Sequence, residues 1–158
     1  MREIAPCDSG FLYRLRMHPR TRPKFRNPRR ASYEVHRAVM GKYFRRVSQD
    51  RWFIIEVDGN PVGTIALYDF TNDGHTCEWG RFVIAPVSRR AGYGRRALTL
   101  LMRLAARTGV RTMRCEVLST NVRAARLYRS VGFVRSAVRR ATDGRIFVEL
   151  TADIGGLR

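Results

Sequence analysis

The chain has 158 residues, 44% of them hydrophobic and 28% charged, a composition typical of one globular domain with its own core. Lys and Arg number 31 against 13 Asp and Glu, which gives a formal charge of +18, and Lys24 and Lys42 are the only lysines. No apolar run reaches the ~18 residues of a membrane helix. The first twenty residues lack the apolar segment of a signal peptide, so the sequence predicts a cytoplasmic protein without membrane contact.

The positive charge is concentrated near the N-terminus. Residues 14–51 contain 13 cationic side chains, whereas their acidic residues are Glu34 and Asp50. Such an excess is typical of proteins that bind nucleic acid or another polyanion. An arginine-rich composition on a solvated surface gives the same charge, so charge alone does not assign a function.

The cysteines do not indicate a metal site. Cys7, Cys77 and Cys115 lie far apart and form no CxxC pair, and three histidines accompany them in the whole chain. The sequence therefore predicts reduced thiols and no metal ion.

The first half of the chain predicts a helical part followed by an antiparallel meander. Residues 21–30 contain two prolines and no apolar periodicity, which predicts a loop. A helix is predicted from Ser32, with apolar residues spaced as one helical face: Val35, Val39, Tyr43, Phe44 and Val47. Strands are predicted over 52–57, 62–70 and 75–85, the first two joined by a turn at 58–61.

The second half predicts alternating helices and strands. An amphipathic helix over 97–107 ends near Gly109, a strand follows over 111–118, and a short helix occupies 121–130. The last two strands, 133–140 and 145–151, are predicted to form a hairpin through Asp143-Gly144. The fold class is therefore α+β.

The turn between the third strand and the amphipathic helix carries the first chemical signal. Its pattern is R-x-x-G-x-G, with Arg89, Gly92 and Gly94. Glycines allow close approach of a ligand to the backbone, and free N–H groups at a helix N-terminus bind anions such as a pyrophosphate. The pattern is neither a P-loop nor a dinucleotide fingerprint, and taken alone it also describes an ordinary strand-to-helix turn.

A second motif follows one strand later and favours the ligand-binding interpretation of the glycine turn. Residues 121–133 fit the pattern N-x-x-A-x-x-x-Y-x-x-x-G-F, with Asn121, Ala124, Tyr128, Gly132 and Phe133. With both motifs in order, the chain resembles the GNAT family of acyl-CoA-dependent N-acetyltransferases. The resemblance implies a single domain over residues 1–158, with a mostly antiparallel mixed sheet and helices on both faces. It further implies that residues 51–158 bind acetyl-CoA and residues 1–50 form the acceptor side.

The resemblance also implies roles for the matching residues. Backbone groups of the third strand should bind the pantetheine arm, the glycine turn should bind the pyrophosphate, and the short helix should contact the amide and thioester region. The residues implied are Phe82, Val83, Ile84, Arg89, Arg90, Ala91, Gly92, Tyr93, Gly94, Arg95, Asn121 and Tyr128. Arg126 and Arg129 are weaker candidates for the 3′-phosphate.

Transfer of an acetyl group to an amine requires a general base and an acid near the leaving sulfur. Tyr128 is the candidate acid, and a buried tyrosine packed at a helix–strand contact is the less favoured alternative. Glu78 is the candidate base, because a period of two places it on the same strand face as Phe82, and an ion-paired strand carboxylate is the alternative. Cys77 is expected on the opposite face, which argues against an acyl-cysteine, and His75 is a less favoured base.

The acceptor is less well defined. The N-terminal segments resemble the branch that contains the N-acetyltransferase of a UDP-linked 4-amino sugar in pseudaminic acid biosynthesis and the ribosomal-protein alanine N-acetyltransferases. A basic wall suits a nucleotide diphosphate and disfavours a polyamine, and His36 is expected to line it or to lie on the surface. A small amine is therefore the expected partner, with a protein N-terminus, RNA binding without turnover, and a homodimer as alternatives.

Overall fold

The computed structural model describes residues 1–45 and 49–157. Its strands are β1 (Arg2–Glu3), β2 (Arg51–Val57), β3 (Asn60–Tyr68), β4 (Thr76–Ile84), β5 (Thr112–Leu118), β6 (Val134–Arg140) and β7 (Ile146–Asp153). Its α-helices are α1 (Ser9–Met17), α2 (Tyr33–Arg45), α3 (Tyr93–Arg107) and α4 (Val122–Arg129). Short 3₁₀ turns occupy Pro6–Asp8, Arg22–Lys24 and Pro86–Ser88.

The described strands form one seven-stranded sheet in the order β1-β2-β3-β4-β5-β7-β6. Every neighbouring pair is antiparallel except β4 and β5, which are parallel. The parallel pairing runs only from Thr76 to Glu78 on β4 and from Thr112 to Arg114 on β5. Beyond these residues the two strands separate, and a gap opens in the middle of the sheet.

Helices cover both faces, as the sequence predicts for this fold. On one face α3 and α4 pack on a large core that includes Trp79, Leu98, Leu101 and Phe133. On the other face Leu12 of α1 and Met40 of α2 pack with Ile4 and Ile54.

The predicted order of elements is confirmed. Some boundaries differ from the predicted ones, because the local backbone geometry determines where a strand or helix begins. The β2–β3 turn contains only Asp58 and Gly59, with φ of 50° and 76°, which is the left-handed geometry of a tight hairpin. Consequently β3 begins at Asn60, two residues earlier than predicted, and includes Pro61. Helix α3 begins at Tyr93, inside the glycine motif. Neither β1 nor α1 is predicted individually from the sequence.

The predicted apolar face of α2 is partly wrong. Met40 is the buried residue of this helix, whereas Val35 and Val39 are 55% and 57% exposed. Tyr43 does pack inward, at 5.6 Å between ring centroids from Trp52. Helix α2 therefore contacts the sheet through Met40 and Tyr43, and Leu12 of α1 packs in the same cluster. Val47 lies outside the described residues.

No helix in the described part of the chain is long and apolar enough to cross a membrane. Within residues 1–45 and 49–157, no cluster of His, Cys, Asp and Glu could hold a metal ion.

Candidate active site

A bulge in β4 determines which side chains face the gap. Thr64 pairs with Val83 and Ala66 pairs with Gly80, so Arg81 and Phe82 together stand opposite one residue of β3. Arg81 has a φ of 47°, a left-handed conformation that is costly for a residue with a side chain. The extra residue shifts the alternation of β4 by one position.

The expectation that Glu78 and Phe82 share a strand face is therefore wrong. Phe82 packs beside Trp79, with ring centroids 5.8 Å apart, on the α3–α4 face. Glu78 pairs across the strand with Tyr68 on the opposite, α1–α2 face. Side chains alternate between the two faces of a sheet only while the strand is regular. The bulge between Glu78 and Phe82 shifts this alternation by one residue.

Glu78 lies at the edge of the gap beneath a loop arginine. Its Oε2 atom is buried without a hydrogen bond, 3.6 Å from Nη2 of Arg26. The same Nη2 atom lies 2.9 Å from Glu116 on β5, which Arg139 also binds at 2.7 Å. Hydrogen bonding to Arg139 lowers the pKa of Glu116 and burial raises that of Tyr68 to about 12. Glu116 is thereby held as an anion that anchors Arg26.

The gap between β4 and β5 forms part of a cavity of about 790 Å³. One end is lined by the glycine turn and α4, and the other by α1, α2 and the loop between them. Of the residues predicted for the site, those that line the cavity are Phe82, Val83, Ile84, Arg89, Arg90, Gly92, Tyr93, Gly94, Arg95, Asn121 and Tyr128. Glu78 and Ala91 do not line it.

The glycine turn is built to expose backbone donors. Arg90 and Gly92 have φ of 74° and 76°, and these left-handed residues direct the chain into α3. The first helical hydrogen bond runs from Arg96 N–H to the Gly92 carbonyl, so residues 93–95 have no partner for their N–H groups within the helix. A Cβ at Gly94 would lie 3.2 Å from Leu127, which shows how closely α3 approaches α4 here.

Charge in this turn favours an anionic ligand. Arg89 donates from Nε to the Ile84 carbonyl at 3.1 Å, which fixes its guanidinium at the cavity wall. Burial and then repulsion from Arg123 and Arg20 lower the pKa of Arg89, and among residues 1–45 and 49–157 no carboxylate forms an ion pair with it. Free helix N–H groups and an uncompensated guanidinium together fit the pyrophosphate of acetyl-CoA.

Tyr128 lies at the middle of the cavity on α4. Its ring contacts Trp79 at 4.8 Å and Phe133 at 6.4 Å between centroids. Burial raises the pKa of the phenol, so Tyr128 keeps its proton at neutral and mildly alkaline pH. A proton donor with this property could serve a departing thiolate.

The thiols are poor nucleophiles in this setting. Cys77 is fully buried, and burial raises its pKa to about 12. Cys115 lines the cavity, and burial raises its pKa as well. Cys7, by contrast, is exposed. A thiolate is the reactive form of cysteine, so the two buried thiols do not favour an acyl-cysteine route.

The histidines occupy different places. His36 lines the cavity, with Nε2 3.1 Å from the Ser9 carbonyl, and burial lowers its pKa. His75 lies outside the cavity lining, with Nδ1 3.2 Å from the Gly109 carbonyl.

Sequence reasoning missed several lining residues. Arg123 of α4 lines the cavity, while Arg126 and Arg129 are exposed outside it. Arg26, Arg81 and Glu116 also line it. In an arginine-rich chain no sequence signal distinguishes them from surface residues.

Comparison with solved structures supports the fold. Spermidine N-acetyltransferase from Vibrio cholerae, in complex with CoA and spermine, superposes with a TM-score of 0.85 at 17% identity, over 96% of this chain and 93% of that one. Ribosomal-protein-alanine N-acetyltransferase from Brucella melitensis gives 0.78 at 17% identity, over 96% and 98%. The protein yncA from Salmonella typhimurium, with its cofactor acetyl-CoA, gives 0.77 at 21%, over 97% and 92%.

No curated protein sequence matches the chain. The model of the acetyltransferase (GNAT) family matches residues 11–133, which include the whole glycine turn, β5 and α4. The chain therefore belongs to the acetyltransferase (GNAT) family, whose reaction is acetyl transfer from acetyl-CoA to an amine.

Proposed function

We propose that the protein transfers the acetyl group directly to the primary amine of a small molecule, an amino-sugar nucleotide or a related amine. One observation carries the proposal: a single cavity extends from the glycine turn, through the gap between β4 and β5, to α1 and α2. The two substrates can thus meet inside the sheet without a covalent enzyme intermediate. Such positioning is a major source of rate acceleration.

The loop between α1 and α2 favours a small acceptor over a polypeptide. Arg145 on the far hairpin donates to the carbonyls of Phe25 and Arg26, at 2.9 and 2.7 Å. Arg26 in turn reaches Glu116 on β5. The loop therefore spans the acceptor end of the gap, and a protein N-terminus would have to displace these contacts.

The cavity wall is basic, which disfavours a polycationic acceptor. Among the residues that the structure describes, eight cationic side chains line it, namely Arg16, Lys24, Arg26, Arg81, Arg89, Arg90, Arg95 and Arg123. Three acidic ones accompany them, namely Asp50, Asp69 and Glu116. A polyamine would meet net repulsion there, whereas a nucleotide diphosphate would meet guanidinium donors.

The bulge supports separate roles for the candidate base and acid. Bound acetyl-CoA supplies the reactive thioester. Glu78 lies on the α1–α2 face outside the cavity lining, with Oε2 3.6 Å from Nη2 of Arg26, and it can accept the proton of the amine through an intervening water. Tyr128 lies on the α3–α4 face and can donate its proton to the departing sulfur. The proposed mechanism is direct transfer with these two groups on opposite sides of the sheet.

A panel of amines with acetyl-CoA, analysed by mass spectrometry, tests the proposal. The panel contains a UDP-linked 4-amino sugar, simple amino sugars, spermidine, and peptides with N-terminal alanine. Acetylation of a small anionic or neutral amine is the expected result. Exclusive acetylation of the peptides would reassign the acceptor to proteins.

A thermal-shift titration with acetyl-CoA separates enzyme from binding module. We expect stabilisation that depends on acetyl-CoA concentration. Absence of stabilisation together with tight, salt-sensitive RNA binding would instead indicate an RNA-binding module without turnover.

A further inference from the structure

Arg81 is the side chain of the β4 bulge, and its environment is unusual. Its guanidinium carbon lies 4.6 Å from the ring centroid of Trp52 and 5.0 Å from that of Tyr68. Its Nη1 atom is buried and has no hydrogen-bond partner. Ring contacts cover faces of the guanidinium plane and leave its in-plane N–H donors available.

Arg16 of α1 repeats this arrangement elsewhere on the cavity wall. Its guanidinium carbon lies 4.1 Å from the ring centroid of Phe25, and its Nη2 donates to the Asn27 carbonyl. Its Nη1 is likewise buried without a partner. Burial and the nearby charge of Arg22 lower the pKa of Arg16, which indicates that its charge is poorly compensated.

The described part of the chain supplies no carboxylate partner for these two groups. Among residues 1–45 and 49–157, no carboxylate forms an ion pair with Arg16 or Arg81. Glu116 of the cavity lining is bound by Arg26 and Arg139. A buried donor left without a partner carries the full cost of its desolvation, and the cost is larger for a charged group. Two such groups in one cavity therefore point to a ligand that supplies the missing acceptors.

We propose that the acceptor amine carries an oxyanion group, a phosphate or a carboxylate, which the N–H donors of Arg81 and Arg16 bind. The inference rests on the proposed function and names the chemical class of its acceptor. Both oxyanions match the fork of guanidinium donors, and each accepts charge-assisted hydrogen bonds. Neutral and cationic amines leave the buried donors unpaired, so Arg81 and Arg16 act as specificity-determining residues.

The strained backbone at Arg81 is consistent with this role. A left-handed conformation favours glycine, and an arginine there gains no local stability. Its guanidinium nevertheless reaches Trp52 and Tyr68 on two neighbouring strands. The left-handed backbone at Arg81 thus positions the guanidinium group at the acceptor end of the cavity.

The test compares two matched pairs of amines by calorimetry. One pair is glucosamine 6-phosphate and glucosamine, and the other is alanine and alaninamide. Saturating CoA is present throughout, so that the glycine turn cannot capture the phosphate probe. We expect the member that carries the oxyanion group, in at least one pair, to bind ~10-fold or more tightly than the member that lacks it, about 1.4 kcal/mol. The pair that shows this preference identifies the oxyanion.

Variants then assign the preference to these residues. Arg81→Met keeps an apolar side chain against the rings, and Arg81→Gly suits the left-handed backbone, so at least one of them should fold. We expect both Arg81 variants and Arg16→Met to reduce the preference for the amine that carries the oxyanion. The affinity for the amine that lacks the oxyanion should change little. Arg135→Met, on the exposed strand β6, is the matched control and should behave as wild type.

Two results would overturn the inference. One is a wild-type protein that binds both members of each pair equally or binds none of them. The other is a preference that survives in both Arg81 variants and in Arg16→Met. Failure of the proposed function is seen separately, as absence of CoA affinity or of acetylation in the amine panel.

Discussion

The two ends of the cavity are built in different ways. At the glycine turn, the backbone N–H groups of residues 93–95 have no partner within α3, and Gly92 and Gly94 shape the turn. At the acceptor end, arginine side chains from α1, the following loop and β4 converge from segments far apart in the chain. The first end depends on local conformation, and the second depends on tertiary contacts.

This difference has a consequence for function. On the proposed function, the backbone site would recognise a group common to all acyl-CoA donors, and few side chains would alter that recognition. A side-chain site can change its specificity by single substitutions. We therefore expect substitutions in this protein to fall into three classes. Some should affect transfer, some donor binding and some acceptor binding.

The largest effect is expected for Glu78→Gln. Gln keeps the size of the side chain and removes the base, so the turnover rate should fall ~10²–10⁴-fold. Acetyl-CoA affinity, which is expected to depend on the glycine turn, should stay unchanged in calorimetry. The acid limb of the pH–rate profile should disappear as well.

Glu34→Gln, an exposed carboxylate of α2, is the control and should retain wild-type turnover. Persistence of the acid limb in Glu78→Gln would assign proton removal to another group or to water.

Tyr128→Phe should lower turnover ~10²-fold while preserving acetyl-CoA affinity, because the acid acts as the sulfur departs. Phe retains the ring contacts with Trp79 and Phe133, so thermal stability should change little. Because burial raises the pKa of Tyr128, its deprotonation should cause no loss of wild-type activity up to about pH 10. A Phe variant with wild-type turnover would make Tyr128 a packing residue.

Gly92→Val tests the donor end by itself. A Cβ at Gly92 meets no atom within 4 Å, so the variant adds backbone strain and a side chain in the open space before α3. We expect acetyl-CoA affinity to fall ~10-fold or more, about 1.4 kcal/mol, with the acceptor preference retained. Gly94→Val should weaken binding as well, but it also disturbs the contact with Leu127.

Gly74→Val is a matched control, because Gly74 has a φ of 71° against 76° at Gly92 and equally open surroundings outside the cavity lining. Both variants should lose similar thermal stability. Equal acetyl-CoA affinity of the two proteins would contradict a pyrophosphate site at the turn.

The smallest effect is expected for Arg145→Gln, which removes the two hydrogen bonds that hold the loop at Phe25 and Arg26. These bonds are partly solvent-exposed, so we expect only a ~3–10-fold rise in acceptor KM. The KM for acetyl-CoA should not change. Arg140→Gln, exposed on β6, is the control, and an equal rise there would show a general effect of charge.

The sequence by itself determined the order of the elements and the donor end of the cavity. Gly92 suits a left-handed φ, and Gly94 allows the close approach of α4. These constraints involve only a few consecutive residues, so they can be recognised from the residue types in the sequence. The same is true of the α4 segment from Asn121 to Arg129 and of the final hairpin.

The tertiary structure alone decided the acceptor end and the faces of two elements. The bulge at Arg81 has no sequence signature, and it placed Glu78 and Phe82 on opposite faces of the sheet. Packing against α1 decided that Met40, rather than Val35 and Val39, is buried on α2. Arg16, Arg26 and Arg81 look like any other arginines of the chain until folding brings them to one cavity. Contacts between distant segments depend on the packing of the whole sheet, and for that reason local sequence patterns do not contain them.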